Sequence, residues 1–308
     1  MALNLMCVHR GKDGDHELYY CTWDPATGNF GPDNPLCNGA ESAAAPALAT
    51  LNGSLYCVHR GRQGDTSLWW SIFDATNGAW TNDTQFTNGN QTDKAPALIN
   101  YNGVLYCVHK GNAHSNLWWS TFDPATSTWS ADTEFSQGNL TGGRPSLAIW
   151  QGTLYCVHPG IAGNLWWCTF DGSNWTVDQE FPNGLTGEAG LLSVGLTDYD
   201  NQLVCLCQGE TGGLQFLYLG ASSTWILGPA YSGMAASGPT LKEFAGTLYC
   251  VHNAADSQLG GCDLYFSTLS NGVLDVSASD CATWAVDTPF SNGNLSSQSV
   301  ALEVVNFP

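Results

Sequence analysis

A polar motif that ends in two tryptophans recurs along the chain, and its residue types suit the binding of a sugar. The clearest copy contains His59, Arg60 and Asp65 and runs into Trp69 and Trp70. Arginine and aspartate can form paired hydrogen bonds with sugar hydroxyls, and an indole can cover the apolar face of a sugar ring. We interpret Trp70 as a core residue and the other four as candidate ligand contacts.

A second polar motif follows in the same unit, where Asn88, Asn90 and Thr92 lie in a glycine-containing loop. An asparagine side chain can bond to the acetamido group of an amino sugar, and a threonine hydroxyl can bond to a sugar hydroxyl. Over all copies, the candidate carbohydrate contacts are His9, Arg10, Asp15, His59, Arg60, Asp65, Trp69, Asn88, Asn90, Thr92, His109, Lys110, Trp118, Asn139, Thr141, His158, Trp166, His252, Asn292 and Asn294.

Both motifs belong to a tandem repeat that fills the chain. The segment Leu-Tyr-Cys-Val-His begins at positions 55, 105, 154 and 248, with variant copies at 5 and 203. These six starts are 45 to 50 residues apart along a chain of 308 residues. A period in the forties is typical of repeat architectures such as β-propellers.

Each repeat contains four short apolar runs separated by turn residues. In the clearest copy they are strand a at Pro46–Leu51, strand b at Leu55–His59, strand c at Leu68–Phe73 and strand d at Trp80–Phe86. An Asn-Gly pair between strands a and b is a strong hairpin signal. Four antiparallel strands per repeat are typical of a propeller blade.

The chain starts with a strand b, whereas its last ten residues resemble strand a. The sequence therefore predicts an all-β fold, a six-bladed β-propeller with four antiparallel strands per blade, whose first blade is closed by the C-terminal strand. We expect one domain over residues 1–308, with repeats at about 1–45 plus 299–308, 46–95, 96–144, 145–190, 191–238 and 239–298.

Alternating strand direction sorts the loops onto two faces of such a disc. The a–b and c–d turns lie on one face, while the b–c and d–a loops carry the polar motifs on the other. Because the d–a loop passes to the next blade, we expect the ligand sites in clefts between adjacent blades. Lys110 and Pro159 replace the arginine in later copies, and the fifth copy has lost most of the motif. Fewer than six competent sites are therefore expected.

The cysteines and histidines also recur, mostly at one place in strand b. Copies of one position lie in different blades, too far apart for disulfides, so the strand b cysteines are expected to be small buried apolar residues. Cys262 and Cys281 flank an insertion, and the sequence leaves open whether they pair. One histidine per blade gives no cluster of metal ligands. Such a histidine either contacts ligand or bonds to the backbone of the next blade. We expect no metal, cofactor or catalytic residue.

Composition excludes some classes of partner. Asp and Glu total 27 against 8 Lys and Arg, for a net charge of −19, so nucleic acid is a poor partner. No apolar run approaches the roughly 18 residues of a membrane span. The N-terminal residues do not form a signal peptide, which predicts a cytoplasmic or non-classically released protein. Whether the ring forms a homodimer is left open.

The repeat Leu-Tyr-Cys-Val-His-Arg-Gly, Leu-Trp-Trp-Ser-x-Phe-Asp and Asp-Thr-x-Phe resembles that of six-bladed mushroom lectins of the Agrocybe type. The repeat motifs of Aleuria-type lectins and tectonins do not match it. The resemblance covers the whole chain and implies multivalent binding of non-reducing terminal N-acetylglucosamine on glycoproteins or cell surfaces, with a role in agglutination or defence.

The sequence leaves two other functions as alternatives to a lectin. A propeller glycoside hydrolase needs one unrepeated acid pair and, in sialidases, a cationic clamp, but the chain has only four arginines, at 10, 60, 62 and 144. Two of these are copies of one repeat position. A protein-interaction propeller is expected to vary its loops, whereas here the same polar residues return. Both remain alternatives to the lectin.

Overall fold

The computed structural model describes residues 2–37, 39–181, 194–208, 213–220, 224–229, 231, 235–253, 263–270, 273–274, 278 and 281–307. Every regular element in these ranges is a β-strand. Within them, no helix meets the length and hydropathy needed to cross a bilayer. The strands are β1 (Ala2–Arg10), β2 (Leu18–Asp24), β3 (Asn29–Phe30), β4 (Asn34–Pro35), β5 (Ala47–Leu51), β6 (Ser54–Arg60), β7 (Leu68–Asp74), β8 (Ala79–Trp80), β9 (Thr84–Gln85), β10 (Ala97–Tyr101), β11 (Val104–Lys110), β12 (Leu117–Asp123), β13 (Thr128–Trp129), β14 (Thr133–Glu134), β15 (Ser146–Trp150), β16 (Thr153–Pro159), β17 (Leu165–Phe170), β18 (Gln179–Glu180), β19 (Val194–Tyr199), β20 (Gln202–Gln208), β21 (Leu214–Leu219), β22 (Trp225–Leu227), β23 (Thr240–Phe244), β24 (Thr247–Asn253), β25 (Leu264–Leu269), β26 (Thr288–Pro289) and β27 (Ala301–Phe307).

The strands form six antiparallel sheets, one per blade, and the blades close into a ring. The inner strands contact one another in the circular order β27, β5, β10, β15, β19, β23 and back to β27. In blade 1, β27 pairs with β1 from Ala2 opposite Phe307 to Val8 opposite Ala301. The predicted six-bladed propeller, with its first blade closed by the C-terminal strand, is confirmed.

The outermost strand differs from the prediction in blade 2. The sequence predicts one continuous strand at Trp80–Phe86, but the structure divides it into β8 and β9, which pair with opposite ends of β7. Between them the Thr81 hydroxyl accepts the backbone N–H of Ile72, so a side chain occupies a position in the ladder. This interruption brings Asp83 to within 3.0 Å of His59.

The core consists of apolar clusters between blades, and each of the six blade boundaries has one. At the boundary between blades 2 and 3, Trp70 is 7% exposed and its ring lies 5.1 Å from that of Phe122. At the same boundary Phe86 stacks on Trp129 at 4.5 Å. The predicted core role of Trp70 is therefore confirmed. Blade-to-blade packing also explains why strand c is apolar along its length.

The six inner strands enclose a central channel with a cavity of about 320 Å³. Arg144 crosses it near the loop face and donates hydrogen bonds to the carbonyl oxygens of Val300 and Pro46, which belong to blades 1 and 2. Burial lowers the pKa of the Arg144 guanidinium. Two repeats have alanine at this position, Ala45 and Ala95. A single arginine thus ties three blades together across the channel.

The strand b cysteines are buried and unpaired, as expected. They occupy equivalent positions in the six blades at Cys7, Cys57, Cys107, Cys156, Cys205 and Cys250. Cys281 forms no disulfide with any other cysteine of the described residues. Its predicted possible partner, Cys262, lies outside the described residues.

Candidate functional site

The five strand b histidines are almost completely buried, and their ring nitrogens face protein groups. Each Nε2 lies close to a carboxylate of the outer part of its own blade. The distances are 2.9 Å for His9 to Asp33, 3.0 Å for His59 to Asp83, 3.0 Å for His109 to Asp132, 3.1 Å for His158 to Asp178 and 3.2 Å for His252 to Asp287.

The other ring nitrogen is also engaged in four of the five blades. Nδ1 of His9, His59 and His109 lies 3.0 to 3.2 Å from the carbonyl oxygen of the next residue, and His252 does the same. Because a carbonyl only accepts, Nδ1 carries the proton there. This carbonyl belongs to the histidine's own strand. The alternative prediction, a hydrogen bond from the histidine to the backbone of the next blade, is therefore not observed in these blades. In blades 1, 2 and 3 both ring nitrogens are hydrogen-bonded, so neither is left for a sugar.

The asparagines of the d–a loops bridge one blade to the next. Asn90 donates to Ser130 O at 3.1 Å and to the carboxylate of Asp132. The same bond runs from Asn139 to Asp178 and from Asn294 to Asp33. Each of these aspartates is therefore bonded both to a histidine of its own blade and to an asparagine of the preceding blade. These asparagines, which the sequence suggests as ligand contacts, thus form a hydrogen-bonded joint between adjacent blades.

The remaining d–a loop candidates have similar roles. Asn88 and Asn292 donate to the carbonyl oxygens of Trp129 and Phe30 in the following blades. The buried hydroxyls of Thr92 and Thr141 donate to backbone carbonyls of their own loops and accept backbone N–H groups there. The structure thus places these candidates among loop and inter-blade hydrogen bonds.

The cations at the end of strand b hold loops in place. Arg60 donates to Asp65 O and, through Nη1, to Asp93 O at 3.1 Å. Lys110 forms an ion pair with the Asp93 carboxylate at 2.8 Å. Arg10 donates to Ser297 and to the carbonyl of Asp13. Arg10 and Lys110 are buried, whereas Arg60 is half-buried, so Arg60 is the most accessible of the three.

Three candidate tryptophans are half-buried, and each is the second residue of strand c in blade 2, 3 or 4. Each lies opposite the strand b histidine on one side and opposite an exposed residue of the outer strand on the other. Directly opposed residues share a face of the sheet. We call these tryptophans and their outer partners the Trp rows: Trp69 with Gln85, Trp118 with Glu134 and Trp166 with Glu180.

In blades 3 and 4 an asparagine that the sequence reasoning missed lies beside the Trp row. Asn116 donates to Glu134 in blade 3, and Asn164 donates to Glu180 in blade 4. Each asparagine lies two residues before its tryptophan, so both project from the same side of the strand. The signal that could have found them is this offset of two, combined with the cross-strand pairing of tryptophan and glutamate.

In blade 2 the carboxylate beside the tryptophan comes from the b–c loop. Asp65 Oδ2 accepts the indole N–H of Trp69 at 2.9 Å, and Asp65 Oδ1 accepts the backbone N–H of Ser67. Burial acts to raise the pKa of Asp65, but the bonds from Ser67 and Trp69 and the charge of Arg60 outweigh it and hold the pKa below its ordinary value. A fixed, ionised acceptor therefore lies at the edge of the indole.

A glycine at the end of strand b makes room for these groups. A Cβ on Gly61 would lie 2.3 Å from Oδ2 of Asp65, and one on Gly111 would lie 2.8 Å from the indole nitrogen of Trp118. A Cβ on Gly160 would likewise lie 2.6 Å from the indole nitrogen of Trp166. Glycine recurs after strand b because the tryptophan, or the aspartate bonded to it, lies too close to the backbone for a side chain.

The other blades carry altered rows. Blades 1 and 6 have tyrosine opposite proline, at Tyr19 with Pro35 and Tyr265 with Pro289. In blade 1 the Tyr19 hydroxyl donates to Asp15 at 3.1 Å, and burial raises the tyrosine's pKa. Blade 5 has no aromatic residue here, because Gln215 pairs with Cys207. Asp15 and Tyr19 remain accessible, so blade 1 keeps part of the arrangement.

Comparisons with known proteins identify the fold. No family model matches the chain, and no curated protein matches its sequence. Among solved structures, AofleA from Arthrobotrys oligospora has a TM-score of 0.61 at 11% identity, covering 98% of this chain and 89% of that one. The Aleuria aurantia lectin, described as a six-bladed β-propeller with a fucose recognition mode, has a TM-score of 0.60 at 13% identity, covering 95% and 96%. An exo-β-1,3-galactanase from Phanerochaete chrysosporium has a TM-score of 0.54 at 12% identity, covering 95% and 70%. At these identities the likeness shows that this chain has the fold of a six-bladed propeller.

Proposed function

We propose that the chain is a multivalent lectin that binds non-reducing terminal sugars, with N-acetylglucosamine preferred, beside the Trp rows. The observation that carries the proposal is the recurrence, on three successive blades, of a half-buried indole next to amide or carboxylate oxygens. Trp69, Trp118 and Trp166 provide the apolar platforms. An aromatic face beside a few fixed polar groups is the usual composition of a sugar site.

The polar partners match an amino sugar. The carboxylates of Asp65, Glu134 and Glu180 accept hydrogen bonds from hydroxyls and from an acetamido N–H, while its methyl group rests on the indole. The amides of Asn116 and Asn164 supply donors. These carboxylates and the net charge of −19 disfavour anionic sugars such as sialic acid.

Clefts between adjacent blades complete the proposed sites. At the boundary between blades 2 and 3, Asn112 donates to Thr66 and to Gln91 of the preceding blade at 3.3 Å each. The b–c loop of one blade thus contacts the loops of its neighbour beside Trp69. The likeness to a fucose-recognising lectin supports a sugar ligand on this fold, and the repeat supports N-acetylglucosamine over fucose.

Binding without turnover is part of the proposal. One carboxylate lies beside each of the three tryptophans, at Asp65, Glu134 and Glu180. Glycoside hydrolysis instead needs two carboxyl groups held at one scissile bond. The fold likeness to a galactanase makes hydrolysis the alternative to test. A protein-interaction scaffold has no specific observation in its favour.

Calorimetric titration and inhibition of erythrocyte agglutination test the function. We expect N-acetylglucosamine to bind with a Kd on the order of millimolar per site, about −4 kcal/mol, and to inhibit agglutination better than fucose or sialic acid. The triple variant W69A/W118A/W166A is expected to lose agglutination, whereas T128A, on the exposed opposite face, keeps it. Because clustered sites raise apparent affinity by roughly 10² to 10⁴, loss of three rows should abolish the avidity gain. Hydrolysis of an aryl glycoside, or a blank glycan array, would overturn the proposal.

A further inference from the structure

Two blades each bring together three metal-ligating side chains that sugar binding does not use. In blade 1, ligand atoms of His9, Cys21 and Asp33 lie within 4.8 Å of one another. Cys7 lies directly opposite Cys21 in the strand pair, beside this cluster. One thiol, one imidazole and one carboxylate make a three-ligand set, and the neighbouring thiol can supply the fourth ligand of a tetrahedral ion.

Blade 4 repeats the arrangement at equivalent positions. His158, Cys168 and Asp178 lie within the same 4.8 Å limit, and Cys156 is directly opposite Cys168. One histidine per blade does not by itself reveal these clusters, because the other ligands come from strands c and d of the same blade.

The surroundings of the blade 1 cluster favour metal binding. The proton on Nδ1 of His9 is fixed by the carbonyl oxygen of Arg10, which leaves Nε2 to face the cluster. Asn294 donates to the Asp33 carboxylate and orients it. Ligands held in this way by outer hydrogen bonds are the usual supporting shell of protein metal sites. His9 and Cys21 are buried, while the Asp33 side chain is 26% exposed and provides a route from solvent.

The other blades lack the second thiol and provide internal controls. Cys57 lies opposite Ser71, Cys107 opposite Ser120 and Cys250 opposite Ser267. Since blade 2 also has the histidine and aspartate, at His59 and Asp83, it differs from blade 1 in this ligand set by one sulfur atom.

We propose that blades 1 and 4 each bind one thiophilic divalent metal ion of the zinc class. His9, Cys21 and Asp33 are the ligands in blade 1 and His158, Cys168 and Asp178 those in blade 4, and the opposed thiols of Cys7 and Cys156 complete the two sets. On binding, the cysteine thiols and the histidine–aspartate hydrogen bond each release a proton to solvent as the metal–sulfur, metal–nitrogen and metal–oxygen bonds form. Thiolate and imidazole ligands select zinc-like ions over magnesium or calcium. This inference does not depend on sugar binding.

Titration of the full reduced chain with cadmium ions, which give thiolate-to-metal charge-transfer absorption, tests the sites, with zinc as competitor. We expect two cadmium ions per chain, displaced by zinc, and a higher Tm for the loaded protein. C21S and C168S should each lose one ion, and C21S/C168S both. These variants install the serine that blade 2 already carries, so they are expected to fold.

A variant that creates a third site distinguishes binding at these clusters from binding at other thiols. Because S71C adds the missing sulfur to blade 2, we expect one additional cadmium ion per chain. The proposal is overturned if the reduced wild-type chain binds no cadmium at micromolar concentration. Retention of two ions by C21S/C168S would also overturn it, because other thiols would then hold the metal.

Discussion

Asn90 donates a hydrogen bond to Asp132 across the boundary between blades 2 and 3, and Asp132 accepts a second hydrogen bond from His109 of its own blade. The same three residue types meet at two further boundaries. Apolar packing between blades is not directional, whereas this joint aligns one blade with the next at a fixed register. Asparagine and histidine residues that resemble ligand contacts in the sequence thus have a structural role between blades.

The first prediction concerns this joint. Asn90→Ala removes the donor from Asp132 and from the carbonyl of Ser130 while both remain partly buried. We expect the free energy of unfolding in urea to fall by about 2–3 kcal/mol. Thr87→Ala, at an exposed position of the same loop, is the control. Unchanged stability together with lost sugar binding would place Asn90 in a ligand site instead.

The second prediction separates two adjacent tryptophans. Trp70→Ala leaves a cavity between blades 2 and 3 and should lower the free energy of unfolding by about 3–5 kcal/mol. Trp69→Ala removes a half-buried ring and one hydrogen bond to Asp65, so its cost is expected to be smaller. Sugar titration should show one site fewer in Trp69→Ala. Equal melting temperatures for the two variants would contradict this division.

The third prediction tests the close approach at the end of strand b. Gly61→Ala places a methyl group against Asp65 and pushes its carboxylate away from the Trp69 indole. We expect weaker sugar binding at blade 2, by about tenfold, with little loss of stability. Gly14→Ala, in the equivalent loop of blade 1, meets no atom within 4 Å and serves as control. Equal sugar affinities for the two variants would contradict the proposed role of Asp65.

The fourth prediction concerns acid stability. Burial acts to raise the pKa of Asp287, but hydrogen bonds and charge from His252 and a bond from Tyr231 hold it below the ordinary value. A lowered carboxyl pKa stabilises the fold above the unfolded value of about 3.9, and this stability is lost as pH falls below it. We expect Asp287→Asn to be less stable at pH 7 and to lose less stability than wild type between pH 5 and pH 2.

Thermal unfolding across this pH range measures the effect. Asp200→Asn, in an exposed turn, is the matched control and should follow the wild-type curve. If Asp287→Asn also followed it, the carboxylate would contribute nothing to acid stability.

The propeller was predictable from sequence because the repeat fixes blade number and strand order without knowledge of any contact. The interrupted strand d was not, because only the structure shows the Thr81 hydroxyl replacing a backbone partner. In the sequence only the two ends of this segment, Trp80 and Phe86, are apolar, and the polar residues between them do not reveal where the strand breaks.

The site was predicted only in part. Trp69, Trp118 and Trp166 each lie beside a carboxylate, as the sugar-site prediction requires. The roles of the histidines depend on aspartates that lie outside the two polar motifs. The spacing of 24 residues from His9 to Asp33 recurs from His59 to Asp83 and signals a pair. The amide partners Asn116 and Asn164 could not be found by repeat matching, because blade 2 has Ser67 at that position.

The pairing of β1 with β27 has a mechanical consequence. Ala2 lies opposite Phe307, so the two ends of this strand pair are neighbours at one edge of blade 1. A force that pulls these ends apart loads the ladder one hydrogen bond at a time, from Ala2 towards Val8, and not all bonds together. The closed ring should therefore open at low force, starting at the β1–β27 strand pair.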